Sequence, residues 1–461
     1  MNEKNLYIKY KIWEPKHKMF ILAGFSASLI LFGIIFGLMY GTAFDVIKGL
    51  YEIIIHPDVL LTDYIKIGGL GAAFLNSGLL TAIFTFILWK NGDPFNGATF
   101  ASILIVTGFS FLGKNLLNVW PILIGVALYT KFHNEHFGRY IYIALFGTAM
   151  APIVTEVLFH FDLILPLRLI VGIILGLLVG FILPPLANHF SKSGKGYNLY
   201  NVGFVAGLLL TVLVALFISF GYTPTSNLIL EGRYHFLLAG YLYFVSFIFV
   251  IIGLFTDKES IRYLKRIYKR SGQAPTDFIQ LDGFSATLLN MGFNGILAVT
   301  YTLLVGGELS GGVIGPIFTI IGFSAFGKHA RNIAPILLGV LLGGVAGIWN
   351  VSYPTIIMAA LFGTALGPIP GTYGWQWGVF VGFLHISVVR HIGVFHGGLN
   401  LYNNGFSTGI IAMILVPILE NLARPLKICE SVANVTQLPD FIKIENENFN
   451  TLNKKKTQKM S

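Results

Sequence analysis

The chain has 461 residues, of which 55% are hydrophobic and only 11% charged, and its mean hydropathy of +0.73 is far from that of a soluble domain. The formal net charge of +10 does not indicate a nucleic-acid partner, because 18 of the 31 Lys and Arg lie in three short polar segments beside apolar runs, residues 1–18, 256–277 and 421–461. These numbers predict a multi-pass protein of the cell membrane whose first partner is the lipid bilayer.

The first apolar run and the cysteine count narrow the class further. Residues 19–41 are too long for the core of a signal peptide and lack a small-residue cleavage site, so we expect them to be the first span. Cys429 is the only cysteine, which leaves neither a disulfide nor a multi-cysteine metal site within one chain. We expect no metal and no cofactor.

The first half of the chain reads as a basic cytosolic tail, residues 1–18, followed by a membrane repeat at 19–220. A segment at 42–63 is predicted to be amphipathic or a loop on the far side. The apolar run 97–112 is short for a span, roughly 24 Å if helical throughout. Helical elements are expected near 19–41, 64–89, 97–112, 115–131, 139–160, 164–186 and 197–220.

The second half is a membrane repeat at 232–420, which includes a charged linker at 256–279. The polar tail 421–461 ends in a lysine-rich run and is predicted to be cytosolic and disordered. Helical elements are expected near 232–255, 281–305, 311–326, 331–349, 353–370, 374–389 and 399–420.

An internal duplication relates the two halves. Residues 69–128 align with 283–342 without a gap, at 20 identities in 60 positions, and 12 of these fall in the 21 positions from Gly108 onward. LFGTA occurs at 145–149 and again at 361–365, and NLYN occurs at 198–201 and again at 400–403. The sequence thus predicts an all-α membrane protein of two homologous halves with about seven helical elements each, including short glycine-rich helices.

An odd number of elements per half predicts that the second half is inverted relative to the first. If all fourteen elements cross, both tails and the linker 256–279 fall in the cytosol, as their basic residues require. If the short runs 97–112 and 311–326 are instead re-entrant, the linker would lie outside, against the charge rule. We favour fourteen crossings. In inverted pairs the solute path runs between the repeats.

Asn96 and Ser310 precede the two short apolar runs at matched positions and suit helix N-caps. A helix that starts inside the membrane offers free N–H groups and a positive dipole end to an anion or a neutral polar solute. The alternative is that the glycines that follow them only allow close helix packing. We predict that both helix starts line one solute site near the midplane, with these glycines as binding residues: Gly97, Gly311 and Gly312.

Two further matched pairs are candidate binding residues. Asn76 and Asn290 can bind a polar solute, or they can form an interhelical hydrogen bond. Lys114 and Lys328 can attract anions at two entrances, or they can snorkel at helix ends. The NLYN tyrosines, Tyr200 and Tyr402, fit either a pore mouth or a membrane-interface anchor. We expect no duplicated carboxylate at the site, which disfavours a metal cation.

These duplicated motifs resemble those of a bacterial family of multi-pass membrane proteins classed as a domain of unknown function, over nearly the whole chain outside the tails. Residues 310–316, SGGVIGP, locally resemble the S-G-G-x-x-x-P helix start of chloride channels and chloride/proton exchangers, which are themselves inverted repeats. Gly322 stands one residue later than in that pattern, and Ser102 occupies the proline position in the first half.

Two classes of function remain. One is a transporter or channel for a small solute, anionic or neutral polar, and the other is a membrane-embedded enzyme or scaffold. The chain contains no H-E-x-x-H motif and no aspartate pair at a useful spacing, so we expect no catalytic residues. Self-association into a homo-oligomer is compatible with the sequence but is not indicated by it.

Overall fold

A computed structural model describes residues 13–58, 62–224, 229–347 and 349–423. The expectations for most of both tails, and for Cys429, lie outside these residues. Within them the chain is helical and contains no strand beyond one isolated bridge. The first half contains nine α-helices: α1 (Pro15–Tyr40), α2 (Ala43–Ile55), α3 (Tyr64–Lys90), α4 (Gly97–Phe109), α5 (Val119–Phe132), α6 (Ile141–Gly147), α7 (Pro152–His160), α8 (Leu165–Ser193) and α9 (Asn201–Ser219).

The second half repeats this order, with two short helices, α11 and α12, in the linker and at the start of the next span. Its helices are α10 (His235–Thr256), α11 (Ser260–Ile267), α12 (Phe278–Asp282), α13 (Phe284–Leu304), α14 (Gly311–Phe323), α15 (Ala330–Ala346), α16 (Pro354–Gly363), α17 (Pro368–Tyr373), α18 (Trp375–Ile392) and α19 (Asn403–Leu422).

The membrane-spanning elements confirm the two sets of seven. Among the described residues, nine helical stretches are long and apolar enough to cross a bilayer. Five shorter apolar helices, of 10–17 residues, take the remaining positions in the two sets. The α6–α7 and α16–α17 stretches are each interrupted by a short 3₁₀ turn at the repeated LFGTA motif, at Thr148–Met150 and Thr364–Leu366.

The two short glycine-rich helices, α4 and α14, form the centre of the protein. All 13 residues of α14 are buried, and all but one of the 13 in α4. Each helix is about 20 Å long and is covered by other helices, so lipid does not reach it. They pack closely at their glycines: a Cβ added to Gly108 would lie 2.6 Å from the carbonyl oxygen of Gly315.

α4 and α14 run antiparallel, because the start of each lies beside the end of the other. A Cβ on Gly97 would lie 2.4 Å from Ala325 O, just past the end of α14, and one on Gly311 would lie 3.0 Å from Phe111 O, just past the end of α4. Both helices also end about three residues earlier than expected from 97–112 and 311–326. The chain leaves each in a turn that uses a left-handed glycine, Gly113 or Gly327.

The other helices surround this pair in equivalent ways. α3 packs on α1 as α13 packs on α10, α5 packs on α8 as α15 packs on α18, and α9 and α19 pack against each other across the two halves. The halves therefore share one core, and each completes the surroundings of the other's short helix.

Candidate functional site

A lysine from each half is bound by a tyrosine from the other half. Lys114 Nζ donates to the hydroxyl of Tyr402 at 2.6 Å. Lys328 Nζ donates to the hydroxyl of Tyr200 and, at 2.7 Å, to the hydroxyl of Thr364. Both lysine side chains are fully buried. We call the four residues Lys114, Tyr402, Lys328 and Tyr200 the lysine–tyrosine centre.

Local backbone geometry places both lysines. Each follows a glycine with positive φ, +118° at Gly113 and +107° at Gly327, a conformation that favours glycine. The N–H groups of Lys114 and Lys328 then donate to the carbonyls of Phe109 and Phe323, at 3.1 and 3.0 Å. These turns direct the lysine chains inward rather than along the helix axis to the membrane surface.

The NLYN motifs place the tyrosines by reciprocal contacts. The side-chain oxygens of Asn198 and Asn400 accept the N–H groups of Tyr200 and Tyr402, each at 3.0 Å. The amide of Asn400 also donates to Gly203 O at 3.2 Å, and that of Asn198 contacts Gly405 O at 3.5 Å. Each motif is thereby anchored to the start of the last helix of the opposite half.

Aromatic rings connect the two lysines. Lys114 Nζ lies 4.7 Å from the centre of the Tyr402 ring, and Lys328 Nζ lies 4.5 Å from that of Tyr200. Such placements stabilise a cation over a ring face. A cavity of about 10 Å³, room for about one water molecule, lies between the two tyrosines. It is lined by Ile105, Phe109, Tyr200, Phe362, Leu401, Tyr402, Asn404 and Gly405.

The two ammonium groups have no counter-charge among the described residues, since no carboxylate lies within ion-pair distance of Lys114 or Lys328. An ammonium has three N–H donors, and Lys114 uses one of them on a described acceptor while Lys328 uses two. Burying an uncompensated charge costs several kcal/mol. The centre can therefore lower its free energy by binding an anion or by losing protons.

This placement corrects both expectations for the lysines. Lys114 and Lys328 neither form surface entrances nor snorkel to the lipid headgroups, because both side chains are fully buried at the interface of the halves. The sequence indicated that they were matched, but it did not indicate that their chains turn inward.

Asn76 and Asn290 hydrogen-bond to the ends of the short helices. Of the two alternatives for this pair, the structure shows the interhelical hydrogen bond. Asn76 Nδ2 donates to the carbonyls of Ser110 and Lys114, at 2.7 and 2.9 Å. Asn290 Nδ2 donates to those of Ser324 and Lys328, both at 2.7 Å. These amides therefore fix the turns that carry the lysines, and they are positioning residues rather than groups aimed at a solute.

Asn96 and Ser310 do not line a shared site, which corrects that prediction. The antiparallel pairing places them at opposite ends of the α4–α14 pair, about 20 Å apart along the helix axis. Asn96 caps α4 by accepting the N–H of Thr99 at 3.1 Å. Ser310 holds the matching position, but its hydroxyl is buried without a hydrogen-bond partner among the described residues.

Both helix starts bind carboxylates of the protein itself. Gly97 N–H donates to Asp277 at 2.8 Å, and Gly311 N–H donates to Asp63 at 2.9 Å. Each aspartate comes from the opposite half and lies just before a glycine-kinked span. Burial raises the pKa of Asp63 to about 7 and also raises the pKa of Asp277. Gly312 packs against Leu230 and Met358 and lies near the hydroxyl of Ser310.

Asp63 and Asp277 correct the expectation that no carboxylate is duplicated. They match at the same offset of 214 residues as the lysines, together with Thr62 and Thr276. Extending the alignment seven residues toward the N-terminus would have found them. Tyr200 and Tyr402 were noted in the sequence, but nothing in it indicated that they bind the lysines.

Metal ligands are not grouped in the part of the chain that the structure describes: no set of three His, Cys, Asp or Glu side chains there could hold a metal ion. With nine helices able to span a bilayer among the described residues, the fold defines a multi-pass helical membrane protein.

The family follows from the comparison with family models. The model described as "Protein of unknown function (DUF1576)" matches residues 42–219 and 256–421, and the chain belongs to this family. The two matched regions correspond to the two repeats. No curated protein matches the chain. No solved structure matches it either.

Proposed function

We propose that this protein is a transporter or channel that passes a small anion across the cell membrane, with the path between the two halves at the lysine–tyrosine centre. The observation that carries the proposal is the pair of fully buried lysines without carboxylate partners. An anion bound beside either ammonium would compensate its charge and accept its unused donors. A metal cation would add to the unfavourable charge.

The antiparallel short helices and the reciprocal Lys–Tyr contacts support an inverted relation between the halves. In such an arrangement equivalent groups meet near the middle of the membrane, where a solute is equally distant from both sides. Both ammonium groups are buried and the cavity is water-sized, so passage requires the halves to move. We propose binding and passage of a solute rather than catalysis.

Flux through proteoliposomes tests this function. We expect chloride or nitrate to pass faster than glycerol and faster than K⁺. Replacing both lysines, Lys114→Gln with Lys328→Gln, should lower anion flux at least about tenfold. Lys258→Gln is the matched control, since Lys258 is exposed in the linker. Anion flux that is unaffected by the double change, or a fast K⁺ flux, would contradict the proposal. Glycerol flux without anion flux would favour the neutral alternative.

We also propose that the linker and both tails face the cytosol. The linker helix α11 carries basic residues on its exposed side and buries Tyr263, Leu264 and Ile267. Single cysteines at Lys48 and Lys258, both exposed, in a Cys429→Ser background should report the two sides. In intact cells an impermeant thiol reagent should label position 48 only, and labelling of position 258 instead would reverse the orientation.

A further inference from the structure

The chemistry of the lysine–tyrosine centre limits which anions it can hold. Most described donors near an anion there are ammonium or phenol groups, those of Lys114, Lys328, Tyr200 and Tyr402, and the amide of Asn404 also lines the cavity. Each tyrosine oxygen accepts from a lysine, and the Tyr200 hydroxyl is also bonded to Thr364, so the Tyr402 hydroxyl is the phenol with a hydrogen left to donate. No arginine takes part, so the planar, bidentate donor pattern that suits phosphate or sulfate is missing from the described residues of the centre.

Backbone donors do not add to this set. The first N–H groups of α4 and α14, which are the usual means of binding oxyanions at helix starts, already bind Asp277 and Asp63. Because the two helices are antiparallel, each lysine turn lies beside the start of the other short helix, where the first N–H group is already bound to an aspartate. The anion that enters the centre therefore exchanges its water shell for a few donors and several aromatic rings.

Aromatic groups form much of the remaining lining. Phe109 lies 4.6 Å from Tyr402 and 5.3 Å from Phe362, and the Phe362 ring lies 6.3 Å from Tyr200, measured between ring centres. Ring edges carry partial positive charge and can contact an anion weakly, but they do not replace water at a strongly hydrated ion. The cavity itself is water-sized, at about 10 Å³.

Dehydration cost then decides between anions. The solvation free energy of an ion rises with the square of its charge and falls with its radius, so sulfate and phosphate lose far more on leaving water than nitrate or chloride. Fluoride is also strongly hydrated, because its radius is small. A single ammonium with few other donors offsets this loss for a monovalent, weakly hydrated ion, but not for a divalent one, whose dehydration cost grows with the square of its charge.

We propose that the centre selects monovalent, weakly hydrated anions of the halide and nitrate class, and that it excludes sulfate, phosphate and fluoride. This inference rests on the proposed anion pathway. It predicts a selectivity order set by hydration, with nitrate ahead of chloride, chloride ahead of fluoride, and sulfate last.

The test is flux of nitrate, chloride, fluoride and sulfate through proteoliposomes, each corrected for protein-free vesicles. Nitrate flux should exceed sulfate flux at least about tenfold. Tyr200→Phe with Tyr402→Phe removes both phenol hydroxyls that contact the lysines and should lower nitrate flux severalfold while keeping sulfate last. Tyr243→Phe is the control, because the Tyr243 hydroxyl is bound to Thr300 away from the centre.

The outcomes separate the two proposals. Sulfate or phosphate flux equal to that of nitrate, and lost on removal of both lysines, would overturn the selectivity but keep the anion pathway. If none of these anions passes, the proposed function fails and the selectivity fails with it. To detect a misfolded variant, each protein's unfolding temperature is compared with and without nitrate. Stabilisation of the wild-type protein by nitrate but not by sulfate supports the inference independently of flux.

Discussion

Lys328 in the second half donates to two hydroxyls, those of Tyr200 and Thr364, whereas Lys114 in the first half donates to Tyr402 alone among the described residues. Thr148 holds the position that matches Thr364, but its hydroxyl donates to Leu145 O and meets no lysine. The duplicated scaffold therefore carries two unequal lysines. Lys114 has more donors left for an anion, and we expect it to contribute more to binding.

A second difference lies beside the asparagines that hold the lysine turns. In the second half Asn294 adds an amide that donates to Ser324 Oγ at 2.7 Å, and the first half has Leu80 at that position. In the first half Asn76 acts without such a neighbour. Duplication has thus kept the framework, and a few polar substitutions have made the halves different where they meet.

The largest effect should come from the packing that both halves share. Gly108→Ala would place a Cβ 2.6 Å from Gly315 O, and a backbone atom inside a packed helix pair cannot move away. We expect a loss of about 3 kcal/mol in the free energy of unfolding, measured by denaturation in detergent. Gly24→Ala in α1 is the control, because nothing lies within 4 Å of its added Cβ. An equal response of the two variants would refute the close approach of α4 and α14.

Removing the matched asparagines one at a time should cost the two halves different amounts of unfolding free energy. Asn76→Ala removes two buried hydrogen bonds to carbonyls and should cost about 3 kcal/mol, since the carbonyls lose their donors. Asn290→Ala removes the matching pair, but Asn294 remains near Lys328 O, so the cost should be about 2 kcal/mol. Asn91→Ala, at an exposed helix end, should change little. A larger loss at Asn290 than at Asn76 would contradict this account of the asymmetry.

Protonation should distinguish a buried aspartate from an exposed one. The pKa of Asp63 is raised by burial to about 7, so its contribution to stability is fully present below the ordinary carboxyl pKa and is lost as the pH rises through about 7. The pKa of the exposed Asp45 is lowered by its hydrogen bonds to Thr42, so its contribution is lost as the pH falls. Melting curves from about pH 2 to 8 should therefore become flatter toward high pH in Asp63→Asn and, below about pH 4, in Asp45→Asn. A change at the same end in both would contradict the assignment.

The smallest expected effect concerns the threonines. Thr364→Val removes the second acceptor of Lys328 and should lower the free energy of unfolding by about 1 kcal/mol more than Thr148→Val does. Both variants lose a hydrogen bond from the threonine hydroxyl to a carbonyl of its own helix, but only Thr364 also accepts from a lysine. Thr364→Val should also increase stabilisation by nitrate, since the ammonium then has a further free donor. Equal responses of the two variants in both measurements would show that the two lysines are equivalent.

Much of the fold could be predicted because hydrophobic runs and a gap-free duplication are local properties of the sequence. The limits of α3 and α10 fall close to the apolar runs at 64–89 and 232–255, and the seven elements per half are confirmed. The short helices were also found, since a polar cap residue precedes each of them and a glycine follows.

The site was harder to predict, because its contacts join residues far apart in sequence. Lys114 and Tyr402 are hydrogen-bonded although they lie 288 positions apart in the sequence. The Asp63 carboxylate and the Gly311 N–H group are bonded across 248 positions. Nothing within either half indicates these pairs. The direction of the lysine chains depends on the turns at Gly113 and Gly327, which a hydropathy pattern does not specify.

The location of a bound anion tests the central claim most directly. Bromide scatters X-rays anomalously, and crystals of the protein grown or soaked in bromide would show where it binds. We predict an anomalous peak in contact with Lys114 Nζ or Lys328 Nζ, between Tyr200 and Tyr402, that is lost when both lysines are replaced by glutamine. Bromide flux through proteoliposomes without any peak at the lysine–tyrosine centre would contradict the account.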